Sequence, residues 1–478
     1  LLVVTRCDLA DPAAAETEAL AQLAATTLAT IPAVRVSGRT GDGIDLLRTA
    51  LHDMVSALPP STVDGPVRLW VDRAFTIRGA GTVVTGTLAG GRIRSGDEFV
   101  HGRTGQRIAV RALQSLGSAT DEVRGTARVA LNLRGVALNE IGRGDTLLTP
   151  GRWLRTDRVD VRLRGDDAAD LPTELALHLG SAAVQARVRP LGTDTARLML
   201  DRPLPLRIGD VCVLRDPGRR RIAAGAVVLD VRPAPLRRRG AAGTRAGVLA
   251  TMDGTPDGAA ELRRRGVVRT ADLVAMGATA PAPEVAPGWL VDPTLAERLA
   301  SRIAETARRY AEEHPLEAGV PVDVVRRELG LPDPRLVTAL VRAPLAAREG
   351  RITAESRQLP GPVQAAVGAL RRELAADPYA APDANRLSEL GLTARELAAA
   401  ARTGALLKVA DGVFLLPGAD AEAAARLARL AQPFTLSQAR QELGTTRRVA
   451  VPLLELLARQ GRTRRTADGG HEVVAPAR

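Results

Sequence analysis

The sequence predicts a multidomain chain: an α/β segment, two β-barrels, and then tandem winged-helix modules that are mainly α-helical. Three observations carry this. Residues 1–58 alternate short apolar strands with helical stripes. Residues 66–232 lose those stripes and show short β-rich runs separated by Gly and Asp turns. Residues 241–478 repeat an order of helix, turn, helix and short hairpin.

In the first segment, Leu1-Leu2-Val3-Val4 reads as a buried strand already under way, which suggests a chain cut inside a domain. A helix is expected near Asp11–Thr30, then a strand at Val34–Val36. A second helix follows from Ile44 to about Ala57. There Ile44, Leu47, Leu51, Met54 and Leu58 form one apolar stripe, and Pro59-Pro60 ends it. In the β region, Val67–Val71, Thr82–Leu88 and Val159–Leu163 read as strands. Gly90-Gly91, Gly96-Asp97 and Gly144-Asp145 read as turns. A division near Thr149-Pro150-Gly151 gives two barrels of about 80 residues each. Further on, Val322–Leu329 with Arg335–Ala343, and Ser437–Leu443 with Thr446–Arg459, are helix pairs. Asp411-Gly412 and Asp468-Gly469 suit hairpin turns.

Composition bounds the partners. The chain has 478 residues, 66 basic and 54 acidic side chains, and a net charge of +12. Lys408 is the sole lysine. Arginine abundance has a bland source in a GC-rich genome, but this balance also favours polyanionic partners. Aromatic content of 2% requires aliphatic cores. Cys7 and Cys212 are far apart and read as free thiols in a reducing cytosol. The five histidines show no ligand spacing, so no metal site is expected, and no run is apolar and long enough to span a membrane.

Thr5-Arg6-Cys7-Asp8 closes the leading strand. A carboxylate at a strand end can accept the paired N1–H and N2 donors of guanine, which adenine does not offer. An exposed turn-capping aspartate fits the same position. The stretch resembles the Asn-Lys-x-Asp loop of GTPases, with Thr5 in place of Asn and Arg6 in place of Lys. Ser37-Gly38 follows, where such folds present a backbone N–H to guanine O6; a plain glycine turn before a helix is the alternative. A phosphate loop needs Gly-x-x-x-x-Gly-Lys-Ser/Thr, and Lys408 follows Leu407, so that loop is not in this chain. The chain is therefore expected not to hydrolyse GTP by itself.

The most specific stretch runs from Leu69 to Leu88 and contains Asp72-Arg73-Ala74-Phe75-Thr76 and Gly79-Ala80-Gly81-Thr82-Val83-Val84-Thr85-Gly86-Thr87. It resembles the second domain of the selenocysteine-specific translation elongation factor more than that of general elongation factor Tu. The likeness extends through Arg128–Leu133, Gly142–Asp145, Ile208–Asp210, Leu214–Pro217, His314–Leu316, Leu329–Asp333 and Leu443–Glu455, nearly the whole chain.

This resemblance implies seven segments. Residues 1–59 are the C-terminal part of a GTPase domain. Residues 64–150 and 156–233 are the second- and third-domain barrels, and winged helices span 241–285, 286–357, 360–417 and 420–478. It implies GTP as ligand, with guanine met by Thr5, Arg6, Asp8, Ser37 and Gly38, and with switch regions and the Mg²⁺ site only in a missing N-terminal part. It implies an aminoacyl pocket of Asp72, Arg73 and Arg128 for selenocysteyl-tRNA. Selenocysteine arrives as a selenolate while serine is neutral, so a pocket arginine would discriminate by charge. The first two of these residues also suit an ordinary surface ion network on a strand edge.

In the last segment Arg447, Arg448, Arg459, Arg462, Arg464 and Arg465 face one acid, Glu455. Val449, Leu453, Leu456 and Leu457 are expected on the buried side of a helix that Thr445 or Thr446 caps, with Pro452 as a kink or a start. Arg447 and Arg448 then fall in a first turn that favours phosphate. A solvated basic face reads the same way. The resemblance makes Arg447, Arg448, Arg462, Arg464 and Arg465 a grip on the selenocysteine insertion hairpin of messenger RNA. The ribosome is the remaining implied partner, and a cytoplasmic monomer is expected. Arg219–Arg221, Arg237–Arg239 and Arg263–Arg265 read as solvated linker charge. The rival readings are a winged-helix nucleic-acid-binding regulator and an RNA-binding scaffold without GTPase activity.

Overall fold

The α/β, double-barrel and winged-helix order is present in the computed structural model, which describes residues 1–474 apart from 25, 27, 59–61, 80 and 355–358. Pro59, Pro60, Ala80 and the last residues of the segments 286–357 and 420–478 lie outside the described residues. The chain divides into two compact units, Leu1–Pro283 and Glu284–Arg478.

The first unit opens with parallel strands Leu2–Val4 and Ala33–Arg35 and helices Ala13–Leu23 and Ile44–Ser56. The first helix is shorter than the run from Asp11 to Thr30. Gly43 starts the second helix at φ +72°, and a Cβ there would lie 1.9 Å from the Arg35 carbonyl oxygen, so only glycine fits. The expected apolar stripe forms but is not buried: Leu51, Met54 and Leu58 stay 41%, 43% and 62% exposed. Two three-residue strands are too small a sheet to cover a 13-residue helix.

The first barrel is a ring of Ala127–Arg134, Gly81–Leu88, Arg68–Ile77, Thr146–Leu148, Glu98–His101 and Arg107–Ser115. The pairing of the last with Ala127–Arg134 closes it. Alternation sends Leu69, Val71, Val84, Leu88, Val129 and Leu131 inward. The second barrel is closed in the order Leu154–Gly165, Thr195–Leu206, Ala182–Pro190, Glu174–Leu179, Val211–Asp216, Arg221–Asp230. Both cores are almost wholly aliphatic, as the shortage of aromatics requires.

Between the barrels, Trp153 lies against two guanidinium groups, Arg207 at 3.5 Å and Arg68 at 4.5 Å from its ring centre. Arg68 also makes a two-pronged bond to Asp210, at 2.6 and 2.7 Å.

Helices Ala241–Ala250, Gly258–Arg265 and Thr270–Ala275 complete this unit without a hairpin among the described residues 241–283. Here one sequence reading is corrected. Arg264 and Arg265 are not solvated linker charge: they are 18% and 15% exposed and reach Asp230 at 2.6 and 2.7 Å. Arg245 joins them, bonding Asp160 at 2.7 Å and Asp230 at 2.5 Å, and Arg197 holds Asp160 at 2.7 and 3.0 Å. Burial raises the Asp230 carboxyl, but Arg265, Arg264, the Arg232 backbone N–H and Arg245 outweigh it and bring it down to about 2.

The second unit repeats its pattern three times. Helices Pro293–Glu313, Val322–Leu329 and Pro334–Leu340 precede the hairpin Leu345–Arg348/Arg351–Ala354. Gly361–Ala376, Ala384–Glu389 and Ala394–Arg402 precede Leu407–Ala410/Val413–Leu415. Ala419–Leu427, Leu436–Glu442 and Arg447–Arg459 precede Thr463–Arg465/His471–Val473. One apolar core runs through the last two repeats, from Val367 and Leu370 to Phe434, Leu453 and Leu457.

Candidate functional site

Three places collect the residues singled out from the sequence. The first is the pair of loops after the parallel strands Leu2–Val4 and Ala33–Arg35, both at the strands' C-terminal ends, where α/β folds bind ligands. The Ser37 hydroxyl donates to Asp8 Oδ1 at 2.6 Å, and Arg39 Nε donates to Oδ2 at 2.7 Å. Those two bonds, Ser37 first, lower the Asp8 pKa from its ordinary value. Arg6 sits at φ +59°, a strained conformation for a long side chain, and Thr5 and Arg6 are exposed. Gly38 is exposed, with open space around it. Arg39 was not among the expected residues; its spacing from Asp8 carries no signal, since the fold alone brings them together.

The second place is the outer face of the first barrel. Strand alternation puts Thr85 and Thr87 there, with Ala130 and Arg128 opposite them and Asn132, opposite Val83, further along the neighbouring strand. Register shifts between Val71 and Arg73, so Asp72 stands at a bulge and Arg73 pairs with Thr85. Arg128 Nη1 lies 2.7 Å from Asp72 Oδ2, an ionic contact in which no N–H is aligned on that oxygen. Asp72 Oδ2 has only that ion pair, while Thr85 Oγ1 and Asn132 Oδ1 are buried atoms without a hydrogen-bond partner. Such groups cost about 1–3 kcal/mol each when left unsatisfied, which marks a face suited to a polar ligand. Arg73 is exposed. Asn132 and Thr85 lie in the resembling stretches but were not expected as pocket residues, although Asn132 follows Arg128 by four residues on one strand, a same-face interval.

The third place is the last repeat. Its helix Arg447–Arg459 buries Val449, Leu453 and Leu457 as expected and contains Pro452, while Leu456 is only partly buried. Neither threonine caps it through its side chain. Thr446 is the N-cap residue without a side-chain bond, and Thr445 donates to the Tyr379 carbonyl at 2.6 Å. The basic residues divide into two groups. Arg448 reaches the carbonyls of Ala381, Pro382 and Gly412 in the preceding repeat. Arg464 is paired with Glu472, and Arg462 lies 3.9 Å from Asp420. Arg447 and Arg465 are exposed and have no acidic partner among the described residues. Among the described residues no cluster is placed to hold a metal ion, and no helix is long and apolar enough to cross a membrane.

Paired β-barrels followed by winged-helix repeats are the domain order found in the relatives this chain matches, which are translation elongation factors. Residues 156–235 match the family model described as "Selenocysteine-specific elongation factor, beta-barrel domain", and residues 425–471 match "Elongation factor SelB, winged helix". Both models describe selenocysteine-specific elongation factors, and the chain is similar to that family over most of its length. It is 27% identical to the "Selenocysteine-specific elongation factor" of Desulfomicrobium baculatum, over 93% of this chain and 78% of that one. It is 32% identical to the Escherichia coli protein of that name, over 63% of this chain and 51% of that one, so it spans about half the length of that relative. The crystal structure of a bacterial selenocysteine-specific elongation factor shares the fold, with a TM-score of 0.71 and 21% identity over 99% of this chain and 81% of that one.

Proposed function

We propose that the chain acts in delivering selenocysteyl-tRNA to the ribosome at recoded UGA codons, binding GTP, the charged tRNA and the messenger-RNA insertion hairpin. The observation that carries this is the Asp72–Arg128 pair beside two buried polar atoms without a hydrogen-bond partner, Thr85 Oγ1 and Asn132 Oδ1, on the first barrel. A selenolate gives Arg128 a charged acceptor, whereas a seryl hydroxyl gives it a neutral one, and charged hydrogen bonds are about twice as strong. Asp72 holds the guanidinium in place, and Arg73, on the same face as Thr85, adds positive potential.

Guanine recognition is assigned to Asp8, Ser37 and the Gly38 N–H, with Thr5 and Arg6 shaping the loop. Asp8 has both oxygens engaged, so a bound base displaces Arg39 from Oδ2. Hairpin binding is assigned to the last repeat, with Arg447 and Arg465 as the direct phosphate contacts. Arg462 and Arg464 flank them on the hairpin. Arg448 belongs to the scaffold beneath.

Arg128→Ala should weaken selenocysteyl-tRNA binding by about tenfold or more and seryl-tRNA binding far less. Titration of fluorescently labelled tRNAs reads this directly, and equal losses for both would remove the charge argument. Running the same titration with the hairpin and with duplex DNA separates a translation factor from a DNA-binding regulator.

A further inference from the structure

The aminoacyl pocket assigned above lies entirely on the first barrel, yet the backbone that aims Asp72 is held in part by the second. Val71 precedes the bulge. Its N–H donates to the Asp145 carbonyl at 2.9 Å, and its carbonyl accepts from the Gly144 N–H at 3.0 Å. The same carbonyl accepts a second bond, at 2.6 Å, from the Ser181 hydroxyl. Ser181 stands in the turn between strands Glu174–Leu179 and Ala182–Pro190 of the second barrel.

The Val71 carbonyl and the Asp72 N–H share one planar peptide, so a bond to the first sets the direction of the second. Because Asp72 stands at the bulge, the regular ladder does not fix its side chain. One residue earlier, the Trp70 ring packs against the second barrel's core. Gly180, at φ +58°, seats on that ring, and a Cβ there would come within 2.5 Å of it. The turn therefore grips Trp70 through van der Waals contact and Val71 through a hydrogen bond, the two residues just before Asp72.

We propose that the Gly180-Ser181 turn of the second barrel is a positioning element for the aminoacyl pocket: it orients the Val71–Asp72 peptide so that Asp72 presents Arg128 to the amino acid. Ser181 touches no substrate; it acts through Asp72. This rests on the pocket reading for Asp72 and Arg128.

The test measures the ratio of seryl-tRNA to selenocysteyl-tRNA dissociation constants on the full chain. Ser181→Ala should lower that ratio by roughly three- to tenfold, the span of one neutral hydrogen bond. Ser181→Thr, which keeps the hydroxyl, should hold it near the original. Gly180→Ala should lower it as well by pushing on Trp70. A merely structural serine would weaken both tRNAs alike and leave the ratio still. An unchanged ratio in Ser181→Ala, with a collapsed ratio in Arg128→Ala, would overturn the positioning role alone. So would equal falls in the alanine and threonine variants. A ratio unmoved by Arg128→Ala, or no binding of either tRNA by the unmodified chain, would overturn the pocket reading and this inference together.

Discussion

Arg447 and Arg448 are exposed neighbours in one helical turn, yet their hydrogen bonding differs. The second spends its guanidinium on three carbonyls of the preceding repeat, and the first faces solvent. Changing Arg447 and Arg465 together to Ala should weaken hairpin binding and flatten its dependence on log salt by about 1.4–1.8, since each lost phosphate contact carries roughly 0.7–0.9 of slope. Arg448→Ala should instead lower stability by about 1.5–3 kcal/mol with little change in that slope, because its hydrogen bonds are charge-assisted and internal. Salt titrations of hairpin affinity, set beside thermal melting, distinguish the two outcomes. No sequence signal separates these neighbours, because the partners of Arg448 lie 36, 66 and 67 residues away.

At the scale of elements, the strongest electrostatic feature joins helix Gly258–Arg265 and helix Ala241–Ala250 to the second barrel through Asp160 and Asp230. Removing one member of such a buried network leaves the others unpaired. Asp230→Asn should therefore cost about 3–5 kcal/mol and lower the melting temperature of the first unit at neutral pH. The carboxyl titrates near 2 in the folded chain against an ordinary 3.8, so its contribution is full above that ordinary value and fades as pH falls towards 2. The variant should accordingly lose less stability between pH 5 and pH 3 than the unmodified chain. Helices and strands themselves were legible, because alternation and the 3.6-residue period are local. Burial was not: the stripe on Ile44–Ser56 is visible in the sequence, but whether a sheet covers it depends on residues elsewhere. Arg263–Arg265 illustrates the converse. A basic run looks solvated until the carboxylate it meets, 34 and 35 residues away for Arg264 and Arg265, is known.

For the whole molecule, the arrangement of barrels and repeats was readable because Gly–Asp turns punctuate the one and helix pairs with hairpins mark the other. The candidate sites were readable as motifs, while their supporting atoms were not. Thr85 and Asn132 lie inside resembling stretches without being marked there as site residues, and only the fold brings Arg39 beside Asp8 and Ser181 beside Val71. The charge of +12 suits a chain that handles RNA, and catalysis of GTP cleavage is a separate matter. With no phosphate-loop lysine in its sequence, the chain alone should release no phosphate from GTP above a protein-free blank, as a colorimetric phosphate assay would read.

The continuous core from Val367 to Leu457 bears on how the last repeat could be excised. A fragment starting near residue 420 would leave Tyr379, Leu387 and Leu397 behind and bare the surfaces they cover, inviting clumping. One starting near residue 361 keeps the shared interior whole. Scanning calorimetry of that longer piece should give a single endotherm, with both repeats losing their structure in one cooperative step.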